Sequence, residues 1–245
     1  MSHLAAGDRV LSIERCDLCV VDEPWPFAVR ERAAIASNWQ RRQAQNPAMF
    51  NGRIYIMLRH HIARGTLHGA FAATDFASYV FWRDSGHADA SVRDGFGSAI
   101  LRSSERHVLL GHAGAHTLNA GRCYLPGGFI DARDVRGDGT IDIDASIARE
   151  LTEETGIGWD ELDRRPGYWL SMCGPLVSIA VELKIDQPAV ALRQRILHHA
   201  AREAHPELAD VSIVASANAA ADPKIMLYSR QLVVHLLDGD PPPHR

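Results

Sequence analysis

The alternation of apolar and polar residues along the chain predicts two pairs of β-strands. Residues 54–63 and 66–76 have the short apolar runs of neighbouring strands, and so do residues 98–103 and 107–113, which flank a polar Ser-Glu-Arg segment. Short apolar runs bounded by turn residues are typical of hairpins. We therefore expect a sheet that contains antiparallel pairs.

Four other segments repeat apolar residues with the period of an α-helix. These predicted helices cover residues 28–45, 145–156, 188–207 and 224–239. Residues 77–84 fit a helix or a strand equally well, and a strand interrupted at Gly174-Pro175 precedes the third helix. Helices that alternate with strands predict an α/β fold in which helices cover a mixed sheet.

A polar segment rich in Gly and Asp, residues 86–97, marks the expected boundary between two parts of the chain. We interpret residues 1–93 as a smaller N-terminal α+β extension, residues 94–240 as the main domain and residues 241–245 as a tail. Whether the extension folds alone is left open.

The helix at 145–156 has recognisable start and stop signals. Asp142 or Asp144 is suited to cap its first turn, because a short acceptor satisfies free backbone N–H groups there. Gly156 is suited to end it in the left-handed conformation, with Ile157 closing over the last turn.

This helix carries the residues that point to chemistry. Glu150, Glu153 and Glu154 stand at positions i, i+3 and i+4, within an arc of roughly 100° that borders the apolar face. Carboxylates this close repel one another, and hard cations such as Mg²⁺ or Mn²⁺ relieve that repulsion. A solvated acidic face with Arg149 as ion-pair partner is the ordinary interpretation of such a helix.

The loop before the helix favours a metal site over that ordinary interpretation. Residues 125–128, Leu-Pro-Gly-Gly, are followed by Asp131, so a free carbonyl and an additional carboxylate are expected beside the helix.

At these two segments the chain resembles the Nudix hydrolase family. Residues 149–157, RELTEETGI, are similar to the second half of the Nudix box, R-E-U-x-E-E-x-G-U, at every specified position, and LPGG resembles the loop that opens the box. The first half departs from the pattern. The step from Gly128 to Arg149 is 21 residues instead of 14, and counting along the box reaches Asp134 or Ile141 where its first Glu is expected.

The resemblance implies an α/β/α sandwich and hydrolysis of a nucleoside diphosphate linked to another group, with Mg²⁺ or Mn²⁺ as cofactor. The implied metal ligands are Glu150, Glu153, Glu154 and the Gly128 carbonyl, and the implied catalytic residues are Glu150, Glu153 and Arg149. Family members often use a further Glu outside the box, for which Glu182 and Glu203 are the nearest acids in the following elements.

The substrate is less well defined by the sequence. The N-terminal part looks similar to UDP-sugar-cleaving Nudix hydrolases, whereas a likeness of residues 112–128 to the coenzyme A pyrophosphatase signature ranks second, and ADP-ribose and nucleoside triphosphates stay open. Candidate substrate-binding residues are Gly127, Gly128, Arg122 and Arg102, although each Arg also fits a solvated surface position. Tyr79, Phe81 and Trp82 are candidates for stacking on a base, or core aromatics.

Charge and cysteine content narrow the class of protein. A net charge of -4 gives no basic footprint for nucleic acid, and no apolar stretch is long enough for a membrane span. Cys16 and Cys19 lack the second pair of a zinc site. We expect a cytoplasmic enzyme that acts on a small nucleoside diphosphate derivative, with no nucleic acid or membrane partner and a homodimer as a possible assembly. The alternative is a non-catalytic Nudix-fold sensor that binds a ligand without turnover.

Overall fold

The computed structural model describes residues 8–238, and these form two compact units, each made from separate stretches of the chain. Within the described residues, the larger unit contains 8–14, 96–128 and 147–238, and the smaller unit contains 15–95 and 129–146. The predicted tail at 241–245 lies outside the described residues.

Twelve β-strands are found among the described residues. They are Arg9–Ile13 (β1), Arg15–Val21 (β2), Arg53–Ala63 (β3), Thr66–Asp75 (β4), Asp94–Arg102 (β5), Val108–Ala113 (β6), Cys123–Tyr124 (β7), Gly127–Phe129 (β8), Asp163–Arg164 (β9), Tyr168–Cys173 (β10), Leu176–Lys184 (β11) and Leu208–Val214 (β12). Six α-helices accompany them in the same part of the chain. They are Pro26–Arg30 (α1), Arg32–Gln45 (α2), Phe76–Asp84 (α3), Ile143–Thr155 (α4), Ala189–Ala200 (α5) and Leu227–Asp238 (α6).

A nine-stranded sheet forms the centre of the larger unit. Its main order is β1-β10-β11-β5-β6-β12, and β7, β8 and β9 pair with β6, β5 and β11. The β5–β6 pair is antiparallel with Arg102 opposite Val108, which confirms the predicted hairpin. Gly174 adopts a φ of 53° in the turn between β10 and β11, where the sequence predicted an interruption.

The central sheet is apolar on both faces, because alternate residues of a strand point to opposite sides. Leu109 belongs to a buried cluster that includes Leu192 of α5, whereas its neighbour Leu110 belongs to a second cluster that includes Leu232 of α6. A sheet with helices packed on both faces is the predicted α/β arrangement, and this prediction is confirmed.

The smaller unit contains a three-stranded sheet in the order β2-β4-β3, together with α1, α2 and α3. Strands β3 and β4 are antiparallel, as the sequence predicted. Segment 77–84 is helical, and its Tyr79 and Trp82 are 4% and 0% exposed. Burial fits the interpretation of these two aromatic residues as core residues.

The contact-based units differ from the sequence-based boundary in two places. Residues 8–14 belong to the larger unit through β1, which pairs with β10, and residues 129–146 belong to the smaller unit. The reason for the second difference is that the segment after Gly128 contacts β2: the Ile141 N–H donates to the Leu18 carbonyl at 2.9 Å. The division into an extension at residues 1–93 and a main domain at residues 94–240 stays a prediction.

None of the helices in the described part of the chain is long and apolar enough to span a membrane.

Candidate functional site

Helix α4, Ile143–Thr155, begins two residues before the predicted range 145–156 and ends directly before the predicted stop at Gly156. The Asp142 carboxylate accepts a hydrogen bond from the Ala145 N–H at 3.0 Å, so Asp142 caps the first turn. At the other end Gly156 has a φ of 67°, and its N–H donates to the Thr152 carbonyl at 2.9 Å. Ile157 is completely buried after this glycine. The Asp142 cap and the Gly156 stop therefore determine that Glu150, Glu153 and Glu154 lie on the last two turns of α4.

The three glutamates of α4 differ in burial. The Glu150 side chain is 14% exposed and Glu154 is 4% exposed, whereas the Glu153 side chain is 51% exposed. Helix geometry explains the difference, since Glu153 lies farthest around the helix from the buried Ile147 and Leu151. Two of the three predicted ligands are therefore largely withdrawn from water.

The glycine loop lies directly against these carboxylates. A Cβ atom on Gly128 would lie 2.5 Å from the Glu150 carboxyl carbon, so the bare glycine allows Glu150 to approach the backbone. A Cβ on Gly127 would lie 2.2 Å from the Gly97 carbonyl oxygen. The backbone clash requires glycine at position 127, whereas a side chain at position 128 would displace the Glu150 carboxylate. The predicted proximity of the loop to the acids is present in the structure.

Glu154 is a buried carboxylate of the larger unit whose surroundings disfavour its charged form. Neither of its oxygens has a hydrogen-bond partner of normal geometry among those residues, although the Gly127 N–H lies close enough to exert a small opposing effect on its pKa. Burial, followed by the charges of Glu207 and Glu150, holds the pKa of Glu154 well above its usual range. An ionised carboxylate in this position lacks a balancing cation.

Arg149 provides positive charge to the other two acids. Its Nη1 atom lies 2.7 Å from a Glu150 oxygen and 3.3 Å from a Glu153 oxygen. Burial still raises the pKa of Glu150 to about 7, against the lowering effect of Arg149. These are the ion pairs that the resemblance implies for Arg149.

Glu207 is an acid that the sequence analysis missed. It follows α5, and its charge raises the pKa of both Glu150 and Glu154. Desolvation raises the pKa of Glu207 itself, and His116 opposes this shift. No local spacing in the sequence connects Glu207 to α4.

Tyr124 faces the same group of acids. Burial and then the charges of Glu154 and Glu207 raise the pKa of the Tyr124 phenol above its usual range. The phenol therefore stays protonated.

The two distal acids named from sequence have other partners. Glu182 lies 2.8 Å from Arg102 and 2.9 Å from Arg165, in ion pairs whose Arg102 side chain is 7% exposed. Glu203 lies 3.3 Å from His199. The role of Arg102 as a phosphate ligand stays a prediction without structural support, because the buried ion pair accounts for its position.

The other predicted contacts are distributed over both units. Arg122, in the larger unit, is exposed and its Nη1 donates to the Pro223 carbonyl at 3.2 Å. Asp131, in the smaller unit, caps the short 3-10 turn 132–134 and lies 2.6 Å from Arg133. The extra residues of the loop therefore have a structure of their own, in which Asp131 has a capping role.

Among the described residues, the cysteines and histidines form no second metal site. Neither Cys16 nor Cys19 forms a disulfide in this part of the chain. Across residues 8–238, no three His, Cys, Asp or Glu side chains are arranged so that they could hold a metal ion, and this includes the α4 acids with their present side-chain conformations.

The donor chemistry of the α4 site nevertheless fits a hard divalent cation. Glu154 presents two buried oxygens without hydrogen-bond partners among the described residues, and Glu150 is a second largely buried carboxylate beside the Gly128 backbone. Carboxylate and carbonyl oxygens are the ligands that Mg²⁺ and Mn²⁺ prefer. Within residues 8–238, no third carboxylate converges on this pair, because the Glu153 side chain lies on the exposed side of the helix.

Comparison with solved structures finds several that are similar in part. A Nudix hydrolase from M. smegmatis, RenU, is 18% identical with a TM-score of 0.41, over 62% of this chain and 91% of that one. DR0079 from Deinococcus radiodurans is 14% identical with a TM-score of 0.45, over 75% and 98%. A bifunctional NMN adenylyltransferase/ADP ribose pyrophosphatase from Francisella tularensis is 19% identical with a TM-score of 0.43, over 64% of this chain and 44% of that chain.

No family model matches the chain, and no curated protein matches it. With TM-scores below 0.5, the structural similarities say nothing of activity or substrate, and the functional assignment depends on the motif and the α4 site.

Proposed function

We propose that this chain is a Nudix-type pyrophosphohydrolase that uses Mg²⁺ or Mn²⁺ to cleave the phosphoanhydride of a nucleoside diphosphate linked to another group. The observation that carries the proposal is the pair of largely buried carboxylates, Glu150 and Glu154, which lie against a glycine loop without enough positive charge to balance them.

The cation would be held by Glu150 and Glu154, with Glu153 and the Gly128 carbonyl as further ligands. Burying a carboxylate without a partner is costly, so a site that keeps Glu154 without a partner among the described residues, next to the buried Glu150, is suited to a cation supplied from solution. When bound, the metal supplies neutralisation of phosphate charge and a more acidic water.

The chain's own residues have distinct tasks in this proposal. Arg149 orients the Glu150 carboxylate through the 2.7 Å contact. Gly128 leaves room for the Glu150 carboxylate that a side chain would fill, and Gly127 allows the loop to approach the Gly97 backbone. Glu207 is the candidate for the further acid outside the motif, because its charge acts on both Glu150 and Glu154, and it is suited to accept a proton from the attacking water.

Within this class, we propose a UDP-sugar as the substrate, on the looser likeness of the N-terminal part of the chain. Coenzyme A and ADP-ribose are the competing substrates. All three contain the same pyrophosphate linkage, so the α4 site serves each of them equally, and the choice depends on residues outside it.

A non-catalytic ligand-binding module is the second candidate function. One observation favours it: the present side-chain conformations do not group three carboxylates, because Arg149 engages Glu150 and Glu153 is exposed. A sensor has no need for the complete metal site.

The test is to incubate the purified protein with Mg²⁺ or Mn²⁺ and a panel of UDP-sugars, ADP-ribose, coenzyme A and nucleoside triphosphates, and to measure released monophosphate. Turnover by wild type that is lost in Glu154→Gln and kept in the exposed-acid control Glu14→Gln supports the hydrolase. Tight binding of a panel compound without turnover supports the sensor and overturns the hydrolase.

A further inference from the structure

Helix α5 holds the C-terminal end of α4 through two side chains on one of its faces. The Arg195 Nη2 atom donates to the Gly156 carbonyl at 3.2 Å, and the same guanidinium makes two 2.6 Å contacts with the Glu161 carboxylate. Because Glu161 fixes the fork of Arg195, the donor to Gly156 is held in a defined orientation.

The second side chain is His199, one helical turn further along α5. Its Nε2 atom lies 3.0 Å from the Glu153 carbonyl oxygen and 3.3 Å from a Glu203 carboxylate oxygen. Both neighbours are acceptors, so the tautomer that carries a proton on Nε2 satisfies the geometry. The imidazole therefore donates to the backbone of a residue in the acid triplet.

Gly156 makes this approach possible. A Cβ at position 156 would lie 2.6 Å from the His199 Nδ1 atom, so the imidazole packs directly against the glycine backbone. The last carbonyl groups of a helix have no partner within the helix, and donors or cations placed there stabilise its final turn. His199 and Arg195 provide such donors at the turn that carries Glu153 and Glu154.

We infer that His199 and Arg195 are positioning residues, which fix the last turn of α4 and thereby place the Glu153 and Glu154 carboxylates relative to Glu150 and the glycine loop. This inference rests on the proposed function, because the benefit of such placement is a cation site whose ligands are already in position. The role of α5 is then more than packing of its apolar face against the sheet.

The experiment compares Mn²⁺ binding by titration calorimetry, the Mn²⁺ dependence of turnover and the melting temperature in wild type and three variants. His199→Ala removes the donor, His199→Gln keeps an amide N–H at the end of the side chain, and His198→Ala is the matched control, an exposed histidine on the same helix. We expect His199→Ala to weaken Mn²⁺ binding about tenfold, with most of the loss restored in His199→Gln and none in His198→Ala.

The result that overturns the inference is a His199→Ala protein that binds Mn²⁺ as wild type does, or one that loses its folded structure so that the residue acts on stability alone. Arg195→Met, which removes the donor to Gly156, is expected to weaken Mn²⁺ binding in the same direction, and unchanged binding would also contradict the inference. Wild-type protein that neither binds Mn²⁺ nor turns over any compound refutes the proposed function instead, whatever the variants do.

Discussion

In the larger unit, Glu182 and the pair Glu150 and Glu154 are all largely buried. The surroundings lower the pKa of Glu182, whereas they raise the pKa of Glu150 and Glu154. Glu182 contacts Arg102 and Arg165 at 2.8 and 2.9 Å, and these arginines lower its pKa in spite of burial. Among the described residues no cation pairs with Glu154, and burial together with nearby acids raises its pKa well above the usual range.

The difference separates a structural role from a functional one. A carboxylate whose charge is balanced by two guanidinium groups needs no ligand from solution, so its role is structural. A buried carboxylate that is left unbalanced destabilises the fold unless a cation arrives from outside. The Glu182 group therefore belongs to the scaffold, and the Glu150–Glu154 group is prepared for a ligand.

The largest expected effect comes from breaking the balanced group. Glu182→Gln leaves Arg102 buried without its charge partner, and loss of one member of a buried pair costs about 3–5 kcal/mol. We expect the free energy of unfolding, measured with urea, to fall by this order, while Mn²⁺ binding per folded molecule stays unchanged. A Glu182→Gln protein as stable as wild type would show that the scaffold role is wrong.

Glu150→Gln is expected to have the opposite signature. It removes a charge that the fold does not balance fully, so stability of the metal-free protein should stay the same or rise. Turnover with Mn²⁺ should fall by at least about a hundredfold, because a ligand is lost. Near-normal activity in steady-state assays of this variant would contradict the metal-site assignment.

The pH dependence of stability gives a smaller effect with a definite sign. Folded Glu150 has a pKa of about 7, against 4.5 for the ordinary group, so between these values the folded state holds a proton that the unfolded state has released. Stability of the metal-free protein therefore falls as the pH rises from about 4.5 to 7, and Glu154 acts in the same direction.

The measurement is a series of thermal unfolding curves from pH 5 to 8 with and without Mn²⁺. Mn²⁺ should raise the melting temperature more at pH 8 than at pH 5, because Glu150, with a pKa of about 7, is mostly ionised at pH 8 and protonated at pH 5. Asp94 in the smaller unit has a pKa of about 6 and contributes to the metal-free slope, so Asp94→Asn serves as the control that keeps the Mn²⁺ effect. Equal stabilisation by Mn²⁺ at both pH values would argue against these acids as its ligands.

Local signals in the sequence were sufficient to predict helix α4. The Asp142 cap, the Gly156 stop and the helical spacing of the acids all act within a few residues, and each is found in the structure. The strand pairs and the covering of the sheet by helices also followed from periodicity.

Contacts between residues far apart in the sequence determine the partners of the buried acids, and local sequence patterns could not predict them. The partner of Glu182 is Arg102, which is 80 residues away, and Glu207 reaches the α4 acids only through the fold. The greater exposure of Glu153 than of Glu154, by contrast, follows from helix spacing, because Glu153 lies farther around the helix from the buried Ile147 and Leu151.

The most direct test of the unbalanced carboxylates is calorimetric titration of metal-free wild type and Glu154→Gln with Mn²⁺ at pH 7.5. If Glu154 is a ligand of the divalent cation, wild type binds Mn²⁺ and the variant binds it at least about tenfold more weakly. Equal Mn²⁺ affinity in the two proteins, or no binding by wild type, would contradict the account.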